Sequence, residues 1–361
     1  MRLKKTIIIG LLLGGVLLFS KQTLLKPNTK TNTGIITSPI PNTVLKTARN
    51  DIKPALSVSK SIFVPYWALG QDDFSVIPYG KVYYFGITAD EKGVVKDDPG
   101  YKELESHNCP NSQECILVLR LLDRGINEKI LQNTTSQQKI IKEVLGLTNT
   151  HFFSGVALDL EISGLISDDT KGQINNFVQQ LYTLTNKDYK TLSFIIYGDN
   201  YYRLRQGDMK FIGSHSDEVM IMAYDLSKNY GEPGPNFNFD QKEKYGYDFK
   251  QMISDFTSEV DVKKLTVIFG MYGYDWTLNE QGTPLKRGEA VTVNQINKLK
   301  TQMSNIKSES QKSKEKKIEY VDEKNQKHVI WYEDQESSDV KTKYLLDQGI
   351  EKVSFWAWGY F

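Results

Sequence analysis

Two carboxylates, Asp159 and Glu161, stand two residues apart in the run FSGVALDLEIS (153–163), interleaved with Val156, Leu158, Leu160 and Ile162. On an extended strand, residues i and i+2 point to the same side, about 6.6–7 Å apart. The aliphatic set then covers one face, and Ala157, Asp159 and Glu161 share the other. Two neighbouring carboxylates resist ionising together, and partial burial raises the pKa of one of them. Such a pair divides into a protonated acid and a charged partner, a division that glycoside cleavage uses. Spacing alone does not separate retaining from inverting chemistry. The bland alternative, two acids bonded to buried Tyr, Trp or backbone donors, suits one isolated acid better than a pair.

The elements that must position this pair recur along the chain. Short apolar runs appear at 61–67, 81–87, 115–122, 152–161, 191–198, 218–225, 265–276 and 352–359. Polar, helix-length segments such as TSQQKIIKEVLGL, KGQINNFVQQLYTLTN and SDVKTKYLLDQG separate them. Strands apolar on both faces and alternating with helices indicate a parallel sheet covered by helices. Eight of them predict an α/β fold, a (β/α)8 TIM barrel over 61–361. Glu161 then lies nearest the carboxyl end of the fourth strand, where barrels place their chemistry, and Ala157 lies deep in the core. The connection between the seventh and eighth runs is long and predicts a small α+β insertion at about 277–335, with one helix and the hairpin KIEYVDEKNQKHVIWYED. The lysines from Lys298 to Lys317 are interleaved with Glu and Ser and read as a solvated helix. The chain stops just after the eighth run, so the last helix is missing or replaced.

Composition narrows the function. The 45 basic and 44 acidic residues nearly balance, which argues against a nucleic-acid binder. Twenty Tyr and five Trp supply aromatic faces. Trp67, Tyr197, Tyr274, Trp276 and Trp358 are candidate walls of a binding cleft. MRLKK followed by an apolar run from Ile7 to Phe19 reads as a signal peptide or short membrane anchor within 1–20. Residues 21–60, rich in Thr, Asn and Pro, read as an extended stalk. Export and cell-surface or extracellular location are expected, with envelope association through the N-terminus. In an exported protein Cys109 and Cys115, in CPNSQEC, are expected to form a disulfide, with a pair of free thiols as the alternative. The four scattered His make no ligand pattern with them, so no metal is expected.

At the acidic pair the sequence resembles glycoside hydrolase family 18, the chitinase-like barrels, whose fourth strand reads D-G-x-D-x-D-x-E. MAYD (222–225) is similar to the family's sixth-strand Met-x-Tyr-Asp, MYGYDW (271–276) to its seventh-strand Tyr-Gly segment, and SFWAWG to its last strand. GEPGP, YGYDW and HVIWYEDQES look like the spore-cortex-lytic, peptidoglycan-cleaving branch. The resemblance implies a retaining hydrolase of β-1,4-linked N-acetylglucosamine polymers, peptidoglycan before chitin, acting through the substrate's own 2-acetamido group. It assigns Glu161 as general acid, Asp159 as the residue that orients the acetamido group, and Tyr224 as donor to its carbonyl. Asp225, Met222, Tyr272 and Trp67 become substrate contacts, with Trp356 as the floor beneath the sugar. No cofactor is implied.

Two family acids are replaced, by Ser154 and Ala157, and LVLRLLDRG stands where a Ser-x-Gly-Gly pattern belongs. Without an acid at 157, Asp159 loses a like-charged neighbour, and its pKa is expected to be less elevated and its orientation less controlled. The alternative functions are a non-catalytic chitinase-like lectin that grips wall polysaccharide and a wall component using the barrel as a scaffold. Silent members of this fold usually lose the terminal Glu, which is kept here as Glu161.

Overall fold

The structure, a computed structural model, describes residues 57–70, 74–205, 207–302, 307–310 and 312–361, leaving aside the side chains of 307–310. The expected leader or anchor and nearly all of the stalk lie outside the described residues.

Eight parallel strands close into a barrel: β1 (Ser59–Pro65), β2 (Lys81–Ile87), β3 (Glu114–Leu121), β4 (Gly155–Leu160), β5 (Thr191–Tyr197), β6 (Glu218–Ala223), β7 (Leu265–Gly270) and β8 (Lys352–Trp356). Around the barrel they follow chain order, and β8 closes onto β1. The first strand thus begins at Ser59, two residues before the expected start. Each run is apolar on both faces because each strand lies between a packed interior and a helix layer. In β4 the prediction from alternation holds. Val156, Leu158, Leu160 and Ile162 join the outer layer under the helices, whereas Ala157 joins the inner cluster with Ile116, Val118, Ile195, Met220 and Ile268. Burying each aliphatic side chain contributes roughly 1.5–3 kcal/mol.

The helices α1 (Arg124–Leu131), α2 (Thr134–Thr150) and α3 (Asp168–Lys187) flank this strand. Asp123, Asn133 and Ser167 cap them by accepting from the N–H groups of Ile126, Ser136 and Thr170. Along α3 the buried Ile174, Phe177, Val178 and Leu181 recur at helical spacing and face the strands. Cys109 and Cys115 are bonded, with Cα atoms 5.8 Å apart.

The seventh apolar run is two strands rather than one. Strand β7 ends at Gly270, and Tyr272–Leu278 enters a five-stranded antiparallel sheet with Glu289–Thr292, Lys327–Tyr332, Lys316–Val321 and Lys307–Ser310. The bend falls at a glycine. A Cβ there would lie 2.7 Å from Tyr224 Cβ, too close for any other residue. The insertion sheet therefore begins at Tyr272, not near 277. The predicted hairpin is present, with Ile318 opposite Ile330; the helix is Val293–Gln302, and the lysine stretch expected to be helical up to Lys317 instead enters strands at Lys307 and Lys316. A buried ionic cluster fastens the insertion. Lys341 Nζ lies 2.8 Å from Glu315 and 2.7 Å from Glu333, with all three side chains fully buried. Glu315 also accepts from the N–H groups of Asn236 (2.5 Å) and Phe237 (2.7 Å), in the loop after β6.

Candidate active site

A cavity of about 770 Å³ opens at the carboxyl ends of the strands and receives Asp159, Glu161, Tyr224, Asp225, Met222, Tyr272, Trp67 and Trp356 together. Every candidate site residue other than the two cysteines thus reaches one space. Tyr197 and Tyr274 also line it. Trp276 and Trp358 do not. Trp276 is fully buried in the insertion against Val329 and Trp331, its indole N–H donating to Asn229 O at 3.1 Å. Trp358, past the end of β8, packs on the outer layer. Both sit beyond the barrel strands, where alternation counted from the strand no longer sets direction.

Asp159 follows from strand parity, pointing inward two positions above Ala157, and is 4% exposed. Burial first, and Glu161 second, hold its carboxyl well above the usual range, with Arg120 opposing. Its Oδ1 is buried without a hydrogen-bond partner among the described residues. Desolvation is thus the main cause of the rise, and it acts without an acid at position 157. Another inward acid, Glu218 of β6, shows the contrast. Burial pushes its pKa up, but Lys81, Thr266 and Tyr83 bring it below the usual range, with hydrogen bonds of 3.1 Å from Lys81 and 2.5 Å from Tyr83. Glu218 is satisfied and structural; Asp159 is left open.

Glu161 sits one residue beyond β4, and its backbone is fixed from both sides. Its N–H donates to Leu121 O at 2.8 Å, and the buried Asn127 amide donates to both Leu121 O and Glu161 O, at 2.7 and 2.8 Å. Tyr197 Oη donates to Glu161 Oε2 at 2.5 Å. Burial raises the Glu161 pKa and Asp225 adds to it, whereas Tyr197, Lys228 and Arg205 oppose the rise. Burial and the nearby acids push the Tyr224 hydroxyl up strongly, so it remains a proton donor.

Asp225 adopts a left-handed backbone, φ 59°, uncommon for a non-glycine residue. Its N–H donates to Asn236 Oδ1 at 2.7 Å, and its Oδ1 accepts from Tyr272 (2.6 Å) and Tyr274 (2.7 Å). Asn236 in turn donates to Gly270 O and Tyr272 O, both at 3.3 Å. One amide thus joins the ends of β6 and β7 to the insertion. At the end of β8, two strands round the barrel from β6, Trp356 packs at 5.7 Å from Phe63 and edge-on at 4.8 Å from Phe85, and Trp67 is half exposed at the rim.

Sequence reasoning missed Arg120. In β3 it pairs in register with Asp159, binds Asp98 at 2.6 Å and stacks over Tyr66 at 5.2 Å. The sign was an arginine at an inward parity position in LVLRLL. Also missed were Arg203, Arg205 and Lys228, which line the cavity from the loops after β5 and β6.

Comparison with known proteins gives the same reading of the family. The family model for glycosyl hydrolases family 18 matches residues 126–360. The chain is 24% identical over 245 residues to the uncharacterized glycosylase YvbX of Bacillus subtilis, covering 66% of each. It is 21% identical over 293 residues to the cortical fragment-lytic enzyme of Bacillus anthracis, covering 76% of this chain and 64% of that one. The chain spans between about half and two thirds of the length of such curated relatives. Among solved structures, the Bacillus cereus spore cortex-lytic enzyme SleL superposes with TM-score 0.66 at 19% identity, covering 84% of this chain and 72% of that one. A Cycas revoluta chitinase in complex with (GlcNAc)4 superposes with TM-score 0.71 at 17% identity, covering 82% of this chain and 94% of that one. With the family model matched over about two thirds of its length, the chain belongs to glycosyl hydrolases family 18.

Proposed function

We propose that this chain is a retaining hydrolase of β-1,4-linked N-acetylglucosamine polymers, with peptidoglycan preferred over chitin. The observation that carries the reading is the convergence of buried Asp159 with part-buried Glu161 and Tyr224 on one cavity that Trp356 also lines. Glu161, whose pKa burial raises, donates its proton to the glycosidic oxygen as the bond to the anomeric carbon breaks. The substrate's 2-acetamido carbonyl oxygen attacks that carbon from the opposite face. Asp159 accepts from the acetamido N–H and Tyr224 donates to its carbonyl, so the attacking oxygen is oriented before the bond breaks. Tyr197 donates to the Glu161 carboxylate left behind. Water, deprotonated by that carboxylate, then opens the cyclic intermediate with net retention. An orphaned buried carboxyl oxygen on Asp159 fits a group that acquires its partner only when substrate arrives.

The cortical fragment-lytic relatives and the cationic wall of the cavity support peptidoglycan. Export to the cell surface is part of the same proposal, supported by the apolar N-terminal run and the disulfide. The test is digestion of purified peptidoglycan and of N-acetylglucosamine oligomers by the chain and by Glu161→Gln. New reducing ends from the parent alone support the hydrolase. Equal binding without products from either supports the second reading, a lectin, which the alanine at the buried 157 position favours.

A further inference from the structure

The two sides of the cavity differ in chemistry. Trp356, Trp67 and Phe85, on or beside β8, β1 and β2, form an aromatic side, whereas Arg203, Arg205 and Lys228 follow β5 and β6, across the barrel. A neutral saccharide can stack on the first side and accept hydrogen bonds from the second, but it carries no charge to match a set of cations.

The cations are not balanced within the chain. Asp199, 4% exposed, is shared by two guanidiniums, with Arg203 Nε at 2.8 Å and Arg205 Nε at 2.8 Å. Arg205 is also buried and stacks over Tyr197 at 4.3 Å, one ring away from Glu161. Lys228 is half-buried and makes no salt bridge among the described residues. Its field partners are Asp225 and Asp199, with Arg205 and Arg203 opposing, and Asp225 is already held by two tyrosines. The three cations thus have one carboxylate, Asp199, in direct ion pairs with the two arginines, and Asp225 acts on Lys228 without a salt bridge among the described residues. Lys228 and Arg205 also oppose the rise that burial gives the Glu161 pKa, an opposition that an anion bound over them would relieve.

We propose that Lys228, with Arg203 and Arg205, forms a binding site for a carboxylate carried by the polymer beside the cleaved bond. It rests on the saccharide-cleaving reading above and names the substrate class more narrowly: an acidic N-acetylhexosamine polymer. In peptidoglycan that carboxylate is either the free lactyl group of the muramic sugar or an acidic group of the attached peptide. Both would be recognised by the same charge-assisted hydrogen bonds.

Calorimetric binding to the Glu161→Gln chain at low salt tests the site with four tetrasaccharides. These are the alternating N-acetylglucosamine–muramic acid form with free lactyl carboxylates, its lactyl amide, its peptide-bearing form, and the neutral N-acetylglucosamine tetramer. Expected is about tenfold tighter binding of the free acid or of the peptide acid than of the amide, and the tighter of the two identifies the source. Adding Lys228→Met should bring the ratio to within about twofold, and Lys228→Glu should push it below one. Equal binding of acids and amide, or a ratio unmoved by both substitutions, overturns the proposal. Turnover by the parent is scored separately. Hydrolysis with a ratio near one removes only the carboxylate site, and a preserved ratio without hydrolysis removes only the hydrolytic reading.

Discussion

Replacing Tyr197 by Phe removes one oxygen and tests how Glu161 is tuned. In the folded chain the Tyr197 hydroxyl lies 2.5 Å from Glu161 Oε2. Burial and Glu161 push its own pKa far above the usual range, so it donates throughout the accessible pH range. It therefore favours the carboxylate form of Glu161 over the protonated form. A hydrogen bond to a charged group is worth roughly 1.5–3 kcal/mol, and each pKa unit corresponds to about 1.4 kcal/mol. Loss of the bond should raise the Glu161 pKa by about one to two units. In the proposed mechanism the protonated form is the active acid, so the alkaline limb of kcat/KM should move up by that amount in Tyr197→Phe. The plateau should fall, because the carboxylate left after proton donation loses its partner. The assay is a pH profile of kcat/KM for release of reducing ends, parent beside variant. An alkaline limb that stays in place or moves down would show that Tyr197 does not tune the acid.

Other substitutions probe the site floor, the disulfide and the insertion. Trp356→Ala should weaken saccharide binding about tenfold, roughly 1.4 kcal/mol, by calorimetry; unchanged affinity would mean that the sugar does not rest there. The double substitution Cys109→Ser/Cys115→Ser opens a loop with a sequence separation of 6 and should lower stability by about 2 kcal/mol, read from the urea midpoint. For Glu333, burial raises the pKa from 4.5 to about 8, against the pull of Lys341. Its folded value lies above the unfolded one, so the native state holds the proton and loses stability as pH rises from about 4.5, reaching a plateau above about 8. Glu333→Gln should therefore raise the melting temperature relative to the parent increasingly over that window and show no gain below it. A difference independent of pH would refute this.

The strand bearing the pair was legible because a period of two places the acids and aliphatics on opposite faces, and both faces are buried. The insertion hairpin was legible for a similar reason, its apolar residues alternating on both sides of a short turn. What local pattern could not show is where an apolar run bends. Gly270 divides one run into a barrel strand and an insertion strand, and Trp276 beyond it turns into the insertion core instead of the cleft. Trp358 was misplaced in the same way, past the end of its strand. The rise in the Asp159 pKa comes first from burial by the enclosing barrel, which no local pattern displays. Arg203, Arg205 and Lys228 were invisible as a group because their meeting depends on two loops and a shared Asp199.

The central claim is that Glu161 and Asp159 make the substrate's acetamido group the nucleophile. Real-time proton NMR of the first reducing end released from a β-1,4-linked N-acetylglucosamine oligomer or glycan strand tests it most directly. The β-anomer should appear first and then equilibrate, with none formed by Glu161→Gln. An initial α-anomer, or products formed equally by Glu161→Gln, would contradict the account.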